Sequence, residues 1–571
     1  MNTPHADNPT PLEMLQMAAR LFQRGQWRES ASICRSLLAN GHALFDVFHL
    51  LGLSLYQLGR PQEAIEFLER AIERNTQHAQ VRNSMGSVYF SMDQFSSAEA
   101  QFERAIRLEP TYWEPYQNLI NTYIAQNKMQ LASELIADAE KQFGETPALL
   151  RRKVRVAIKL EENETALSLL DRLIETNKED VDAINDKALV LARLNQKELA
   201  ISYLENLTRV QPDYLNSHVN LAYAYYRLGE FNSAEQSFKQ ALSMLAETRN
   251  ANPQSELLKN KIAFLLSTIY LLRGDYKRGW KNYRHRPSIL LREKKTDFNI
   301  SGGFTGKRVL VERDQGLGDE LFFLRFCQPL ANFADYLHVV VSQPIVPLLQ
   351  DQNIIQCIST EVPEESFDHH VSIADLPYLL GSDETPKMPP PFPLSIDSET
   401  ADKLHQQHLE NMPQPWVGLT WRAGAIAGSV AEDVELLHKS IDLALIEELF
   451  KDFKGTLVLL QRNPGEGEVE HLREHLKCSC IDLTGANENL QEMAAILFLL
   501  DDYIGVSNTN MHIRGSLNLP ARLLVPYPPE WRWLESGEDT HWYSTFTLYR
   551  QEKNGGWQQA LKKIRKDAGF L

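Results

Sequence analysis

Alanine recurs at positions 64, 98, 132, 166, 200 and 234, each 34 residues after the last. Four residues beyond each stands a large apolar side chain: Leu68, Phe102, Ile136, Leu170, Leu204 and Phe238. Three further on are Ala71, Ala105, Ala139, Leu173, Leu207 and Ala241. Twelve before each alanine are Gly52, Gly86, Ile120, Val154, Ala188 and Ala222. Spacings of three and four place residues on one helical face. A unit of this size holds two antiparallel helices and cannot bury its apolar face alone, so it must stack on its neighbours. The small residues let the paired helices approach, and the large ones fill the space between units. Pro110 and Pro212 close two of the units. A degenerate unit precedes them (LEMLQMAARLFQRGQWRESASICRSLL), and an out-of-phase one follows at about 260 to 290 (KIAFLLSTIYLLRGDYKRGWKNYRHR).

This pattern resembles the tetratricopeptide repeat family at its usual period. Such stacks form a superhelix whose concave face is lined by the first helix of each unit and commonly receives partners. Asn83, Gln117, Asn121, Asn185, Asn216 and Tyr223 are assigned to that face. A carboxamide donates and accepts at once and can hold an extended peptide backbone. The plainer reading is that these are solvated polar residues.

Composition narrows the function. The chain has 571 residues and a net charge of −16, which argues against general binding to nucleic acid, where clustered Lys and Arg are needed. The start, MNTPHADNPTPLEML, has no basic region followed by an apolar run, and no stretch reaches eighteen apolar residues. A cytoplasmic protein without a signal peptide or membrane span is expected. Cysteines at 34, 327, 357, 478 and 480 are too scattered for a disulfide framework. Cys478 and Cys480 share a strand face but lack a second pair for zinc.

From about residue 300 the pattern changes. SGGFTG reads as a loop. Strand-like runs (KRVLVER, YLHVVVS) then alternate with a helical one (ELFFLRFCQPLANF), which argues a parallel sheet covered by helices. PKMPPPFP is stiff and extended and connects two lobes. The alternation resumes in WVGLTW, IDLALIEELFKDF, TLVLLQR, EVEHLREHL, CIDLTG, LQEMAAILFLL and YIGVS, then a helix through MHIRGSLN. The expected fold is an all-α repeat solenoid over 1–295, followed by α/β lobes over 300–390 and 391–571. Two such lobes leave a cleft at the carboxyl ends of their strands.

The run VERDQGLGDELF places two glycines, Gly316 and Gly318, among Glu312, Asp314, Asp319 and Glu320. It lacks the Lys and Ser/Thr of a Walker loop, and position 321 is Leu where the dinucleotide fingerprint needs Gly. What remains is a sharp strand-to-helix turn presenting Asp319 at a helix start. Asp319 either caps that helix or acts as a general base for an incoming hydroxyl.

Three stretches, QGLGDELFFLRF, FDHHVSIADLPYLLG and YIGVSNTNMHIRGSLNLPARLLVPYPPEWRW, resemble the glycosyltransferase module fused to tetratricopeptide repeats in many bacteria. That module is similar to the heptosyltransferases of lipopolysaccharide synthesis. The resemblance, over about 300 to 571, implies two Rossmann-like lobes (the GT-B fold), no metal, and an inverting single displacement. It assigns the base to Asp319, with Glu320 as substitute, and places the nucleotide-sugar donor on the second lobe. Where relatives read Asp-Thr-Ala-x-x-His, this chain has Ser507, Asn508, Thr509 and His512. The missing aspartate suggests a donor other than heptose. A helix start rich in Ser, Asn and Thr suits a phosphate, and His512 either stabilises the leaving phosphate or is a buried core histidine.

Arg422, in GLTWRAG, ends a strand and suits a phosphate or sugar carboxylate bidentately, with Lys439 a second cation. Gln461 and Arg462 end the strand LVLLQ and are candidates to contact the nucleobase; the plainer reading of these four residues is ordinary surface charge. His369 and His370 point to opposite faces of a strand, and only His370 matches the relatives' pattern as a cleft residue. Trp531 and Trp533 either stack on a nucleobase or, by preference, bury the lobe interface. Asp501 and Asp502 open a strand, and no divalent metal is expected.

Within this architecture the nearest resemblance is to flagellin glycosyltransferases that use CMP-activated nonulosonic acids. It implies a protein acceptor held by the repeats and modified on Ser or Thr, with no cofactor beyond the nucleotide sugar. A donor bringing its own carboxylate fits both Ser507 and Arg422. The rivals are a lipopolysaccharide or glycolipid transferase, and a non-catalytic repeat scaffold.

Overall fold

The computed structural model describes residues 9–247, 253–291, 296, 298, 300, 303–381, 388–423 and 439–569. The chain divides into two compact units, Met1–Asn220 and Leu221–Leu571.

The first unit is a row of helical pairs. They are α1 (Pro11–Gln23) and α2 (Trp27–Ala39), α3 (Phe45–Gln57) and α4 (Pro61–Arg74), α5 (Ala79–Ser91) and α6 (Phe95–Leu108). Then come α7 (Trp113–Ala125) and α8 (Met129–Phe143), α9 (Pro147–Lys159) and α10 (Asn163–Thr176), α11 (Val181–Arg193) and α12 (Lys197–Val210). The unit ends inside α13 (Leu215–Arg227). Alanines 64, 98, 132, 166 and 200 are all fully buried. In the first two of these units the residue twelve earlier is glycine because the paired helix comes close, whereas Ile120 and Val154 take that position in the next two. A Cβ on Gly52 would stand 2.8 Å from Leu68 Cγ, and one on Gly86 would stand 2.5 Å from Phe102 Cε1.

A second period lies in the turns. Gly25, Gly59, Asp93, Asn127, Glu161 and Asn195 all have φ between 56 and 76°, and Gly229 continues the series in the second unit. They step by 34 residues and close the first helix of each pair. A left-handed residue there frees the chain to reverse, and glycine and asparagine adopt it most cheaply.

The second unit opens with the rest of α13, α14 (Phe231–Glu247), α15 (Pro253–Leu272) and α16 (Tyr276–Tyr283). Two parallel sheets follow. The first contains β1 (Arg308–Glu312), β2 (Tyr336–Val340), β3 (Cys357–Ser359) and β4 (His369–Ser372), in the order β3-β2-β1-β4. The remaining strands are β5 (Trp416–Thr420), β6 (Arg422–Ala423), β7 (Lys439–Ser440), β8 (Thr456–Leu459), β9 (Ser479–Asp482), β10 (Asp502–Val506), β11 (Ala521–Val525) and β12 (Phe546–Arg550). Strands β6 and β7 pair antiparallel, and the other six form a sheet ordered β9-β8-β5-β10-β11-β12. Numbered by appearance within that sheet, the order is 3-2-1-4-5-6, that of doubly wound α/β folds. All pairs in both large sheets are parallel, as the buried runs VLV and VGLT require.

The covering helices are α17 (Leu317–Phe323), α18 (Cys327–Ala331), α19 (Leu376–Leu379), α20 (Ser398–Leu404), α21 (Leu443–Phe450), α22 (Glu468–His475), α23 (Leu490–Leu499), α24 (Thr509–Ser516) and α25 (Gln558–Asp567). The single helix expected over ELFFLRFCQPLANF is instead α17, a 3-10 turn over Leu324–Phe326, and α18. Pro329 is the reason: it lacks the N–H that would bond the Arg325 carbonyl. Residues 388–393 of the proline-rich connection carry no helix or strand, and Phe392 is buried. Residues 301, 302, 386 and 387, at the ends of the expected loop and connection, lie outside the described residues.

The last helices pack directly on the sheet-bearing part. Tyr276 O–H lies 2.7 Å from His541 Nδ1, and Glu535 N–H donates to the Leu272 carbonyl at 3.0 Å. Trp280 meets Trp531 edge to face at 5.4 Å. Helix character therefore runs on to Leu291, close to the change of sequence pattern at about residue 300, while the compact unit already begins at Leu221.

Candidate functional site

In a doubly wound sheet, ligands bind beyond the carboxyl ends of the strands where the winding reverses. In the first sheet that point lies between β1 and β4, and in the second between β5 and β10.

The first crevice is filled by the chain itself. Arg286, following α16, is 1% exposed. Its Nε and Nη2 donate to Asp314 Oδ2 at 2.9 and 2.5 Å, Nη2 donates to Ser372 Oγ at 2.9 Å, and Nη1 donates to Asp375. Thr296 Oγ1 donates to the other Asp375 oxygen at 2.7 Å. One guanidinium thus joins the residues after β1 and β4. No local pattern signals it, because Arg286 lies at the end of a helical-looking run and its partners 28 and 89 residues away.

Above this network runs the glycine turn. Its left-handed residue is Gln315, at φ 65°, and neither glycine has positive φ. Gly318 is small because α24 lies against it: a Cβ there would be 3.1 Å from His512 Cδ2 and 3.7 Å from Thr509 Cα. Gly316 has no such neighbour, since its nearest contact would be Asp319 Oδ2 at 3.8 Å. The stretches 316–319 and 507–512 are therefore in contact.

Asp319 is engaged through both carboxylate oxygens. Its Oδ2 accepts a long hydrogen bond, 3.4 Å, from Gly316 N–H, as a capping group would. Its Oδ1 accepts from Arg532 Nη2. Arg532 Nη1 donates to Glu530 Oε1 at 2.6 Å, while Glu530 Oε2 accepts from Lys439 Nζ at 2.5 Å and from Ser507 Oγ at 3.3 Å. Groups following the carboxyl ends of β1, β10 and β11, with Lys439 of β7, thus form one chain of alternating charge. Burial alone would raise the Glu530 carboxyl, but Lys439 and Arg532 outweigh it and hold it well below the usual carboxylate range. Burial opposes the Arg532 charge, and Asp319 and Glu530 more than restore it. In PEWRW the sequence points to the tryptophans, but Glu530 and Arg532, on either side of Trp531, make these contacts. Trp531 and Trp533 are buried, as preferred, with Trp531 against Tyr283, Phe322 and Trp542.

Other expected site residues are committed elsewhere. Glu320 is 1% exposed and accepts from Ser342 N–H at 2.8 Å and Ser342 Oγ at 2.5 Å. Burial raises its carboxyl against those bonds. It ties α17 to the end of β2 and is not placed to serve as a substitute base. His512 is buried, with Nδ1 2.8 Å from Tyr543 O–H and its ring stacked on Trp533. Burial first, then the Arg532 charge, pushes its pKa well below the usual value, so it is neutral and built into the core. Asn508 caps α24 by accepting from Met511 N–H at 2.9 Å and donates to Thr420 Oγ1 at 2.9 Å. Thr509 begins that helix and is half-buried, while Ser507 is buried.

Arg422 follows β5 as expected but forks onto Glu468, Nη1 to Oε1 at 2.8 Å and Nη2 to Oε2 at 3.1 Å. Gln461 is buried and spends its amide on backbone: Oε1 accepts from Trp421 and Arg422 N–H, and Nε2 donates to the Arg422 and Arg462 carbonyls. It splices the ends of β5 and β8 and does not reach outward. Arg462 is exposed. His370 lies midway along β4, opposite Leu310 of β1, with Nδ1 3.7 Å from Glu312 Oε1. That places it short of the carboxyl edge where the other groups gather. Asp501 and Asp502 are structural, accepting from Trp416 N–H and Arg522 Nε.

In the first unit, three of the polar residues assigned to the inner face bond to the next repeat. Asn118 Nδ2 donates to Asn83 Oδ1 at 2.9 Å, Arg152 Nη2 to Gln117 Oε1 at 2.7 Å, and Asn220 Nδ2 to Asn185 Oδ1 at 2.7 Å. His49 Nε2 and Ser84 Oγ, 3.0 Å apart, repeat the step. Each bond joins residues 35 apart on neighbouring units. The carboxamides of Asn83, Gln117 and Asn185 are thus spent on holding repeats together, and Asn185 is buried. Asn121 is half-buried and Asn216 exposed. Tyr223 belongs to the second unit, where its ring meets Phe238 edge to face.

Among the described residues no helix is long and apolar enough to cross a membrane, and no group of three or more His, Cys, Asp or Glu could hold a metal ion.

Comparison with known proteins identifies tetratricopeptide repeats at residues 46–109 and 185–255. The chain is 22% identical over 500 residues to Protein FlbA of Caulobacter vibrioides, covering 82% of this chain and 80% of that protein. It is 26% identical over 200 residues to anaphase-promoting complex subunit 7 of Mus musculus, covering 34% of each. Among solved structures, a tetratricopeptide repeat protein from Parabacteroides merdae aligns with 44% of this chain and 98% of its own, at 14% identity and a TM-score of 0.39. YrrB, a TPR protein with an unusual peptide-binding site, aligns with 34% of this chain and 99% of its own, at 21% identity and a TM-score of 0.26.

Proposed function

We propose that the chain is an inverting, metal-independent protein O-glycosyltransferase. In this reading the two sheet-bearing lobes act as a GT-B pair and the tetratricopeptide repeats hold the protein acceptor. The sugar passes from a nucleotide donor, a CMP-nonulosonate, to Ser or Thr of a protein such as flagellin. The observation that carries the reading is the joining of Asp319, after β1, to Arg532, Glu530, Lys439 and Ser507 on the second lobe. A carboxylate and a fixed cation on the carboxyl-end side of the strands support the reading, because sheets of this winding take ligands on that side. The carboxylate removes the acceptor proton, and the cation holds the departing anion. The match to Protein FlbA spans repeats and sheets together, which supports one working protein built from both.

Intact-mass spectrometry tests the proposal, with purified chain, flagellin and a CMP-nonulosonate. A sugar-sized increment on Ser or Thr is expected. Asp319→Asn should lower its rate by about 10²–10⁴-fold while flagellin binding persists. If filament proteins from cells lacking the chain keep their masses, or Asp319→Asn transfers at the parental rate, the reading falls.

A second reading, a non-catalytic scaffold, is favoured by the internal pairing of Arg422 with Glu468 and of Gln461 with backbone. The repeat match to a named subunit of an assembly fits it too. Retained flagellin binding without transfer by the parental chain would support it.

A further inference from the structure

We propose that Arg532 is the seat for the anionic group of the ligand, and that Asp319 occupies this seat until the anion displaces it. The inference deepens the transferase reading and rests on it for the identity of the ligand. Arg532 is 6% exposed, and its Nε is buried with no hydrogen-bond partner among the described residues. A buried N–H left without an acceptor is costly and signals a missing one. The guanidinium is fixed in place, stacked 4.3 Å from the Trp531 ring centre and 4.8 Å from that of Phe322.

Its two carboxylate partners differ. The Glu530 side chain is 13% exposed and also held by Lys439, so it stays. The Asp319 side chain is 26% exposed, and among the described residues its hydrogen bonds are the one from Arg532 and the long one from Gly316 N–H. Asp319 is therefore the exchangeable partner. The glycine at 316 puts no side chain beside its outer oxygen. A phosphate or carboxylate matches the guanidinium fork bidentately and can engage Nη2 and the orphan Nε together.

Exchange couples binding to chemistry. While Arg532 holds Asp319 Oδ1, that oxygen is committed. Once an anion takes the guanidinium, Oδ1 is free to accept the proton of the acceptor hydroxyl. The hydroxyl oxygen forms the new bond to the sugar carbon. The bond from that carbon to the donor phosphate breaks, and the phosphate leaves with the electron pair.

Calorimetry on the full chain tests this without turnover, using two probes. CMP offers a phosphate and no sugar carboxylate. N-Acetylneuraminate offers the carboxylate and no phosphate. At least one should bind. Arg532→Lys, which keeps the charge but loses the fork, should weaken it about tenfold. Asp319→Asn, which removes the competing carboxylate, should tighten it about tenfold. The probe that responds identifies the group Arg532 receives. If neither probe binds, or if both variants bind as the parental chain does, the proposal is overturned. Thermal melts confirm that Arg532→Lys is folded, and the gain in Asp319→Asn does not depend on that variant. Arg532-dependent probe binding without sugar transfer would sink the transferase reading and leave the anion seat. Sugar transfer with Arg532-independent binding would do the reverse.

Discussion

Two glycines one residue apart do different work. Gly318 is a packing residue, because any side chain would drive the turn away from His512 and Thr509. A Cβ on Gly316 would meet, among the described residues, only Asp319 Oδ2 at 3.8 Å. Gly318→Ala should therefore destabilise the protein by about 1–3 kcal/mol through overpacking. Gly316→Leu should keep its melting temperature and cover the Asp319 carboxylate. On the proposed function, Gly316→Leu then loses transfer while Gly318→Ala loses chiefly stability, and a melt and a transfer assay on both separate the roles. The glycine spacing and the following acid were legible in the sequence. That one glycine is required by a helix nearly 200 residues on was not, because the contact comes from the meeting of α17 and α24.

The repeat element carries a ladder between units, and one rung is titratable. Burial, then the neighbouring His78, lowers the His49 pKa from 6.5 to about 4. A base depressed in the folded state binds fewer protons there than in the unfolded chain. Its contribution is thus complete above pH 6.5 and is lost as pH falls toward 4. The loss is about 2 kcal/mol after allowance for partial exposure. In His49→Asn, which restores the residue type found at 83 and 185 in the same register, that part of the pH dependence should vanish. Urea unfolding of both chains at pH 6.5 and 4.5 measures it. The 34-residue period announced helices, partners and small positions, because local spacing alone fixes helical faces. It also put carboxamides on the inner helices. It did not reveal that neighbouring repeats consume them, since each bond joins side chains 35 residues apart, and the pair is Asn–Asn in two rungs, His–Ser and Arg–Gln in the others.

At the scale of the molecule, helices and sheets do not divide where the sequence changes character. Helices α14 to α16 belong with the sheets, and Arg286 anchors them by filling the crevice between β1 and β4. Arg286→Met should cost about 3–5 kcal/mol, because it leaves Asp314 and Asp375 buried without their cation. Arg286→Lys should recover only part, since an ammonium cannot reproduce the fork. Urea unfolding gives the magnitude. Hydrogen exchange gives the location: amides of α15 and α16 should lose protection together with those of β1 and β4.

The sequence by itself determined the repeat array, the parallel sheets and the turn that presents Asp319. Each follows from the period of apolar residues and the needs of the backbone within a few dozen residues. Only the tertiary structure decided which charged groups meet. It closed the first crevice with Arg286, retired Glu320 and Gln461 to structural duty, and set Arg532 against Asp319 from 213 residues away. Charge pairing acts through space, and no local pattern encodes which distant strand ends the fold will bring together.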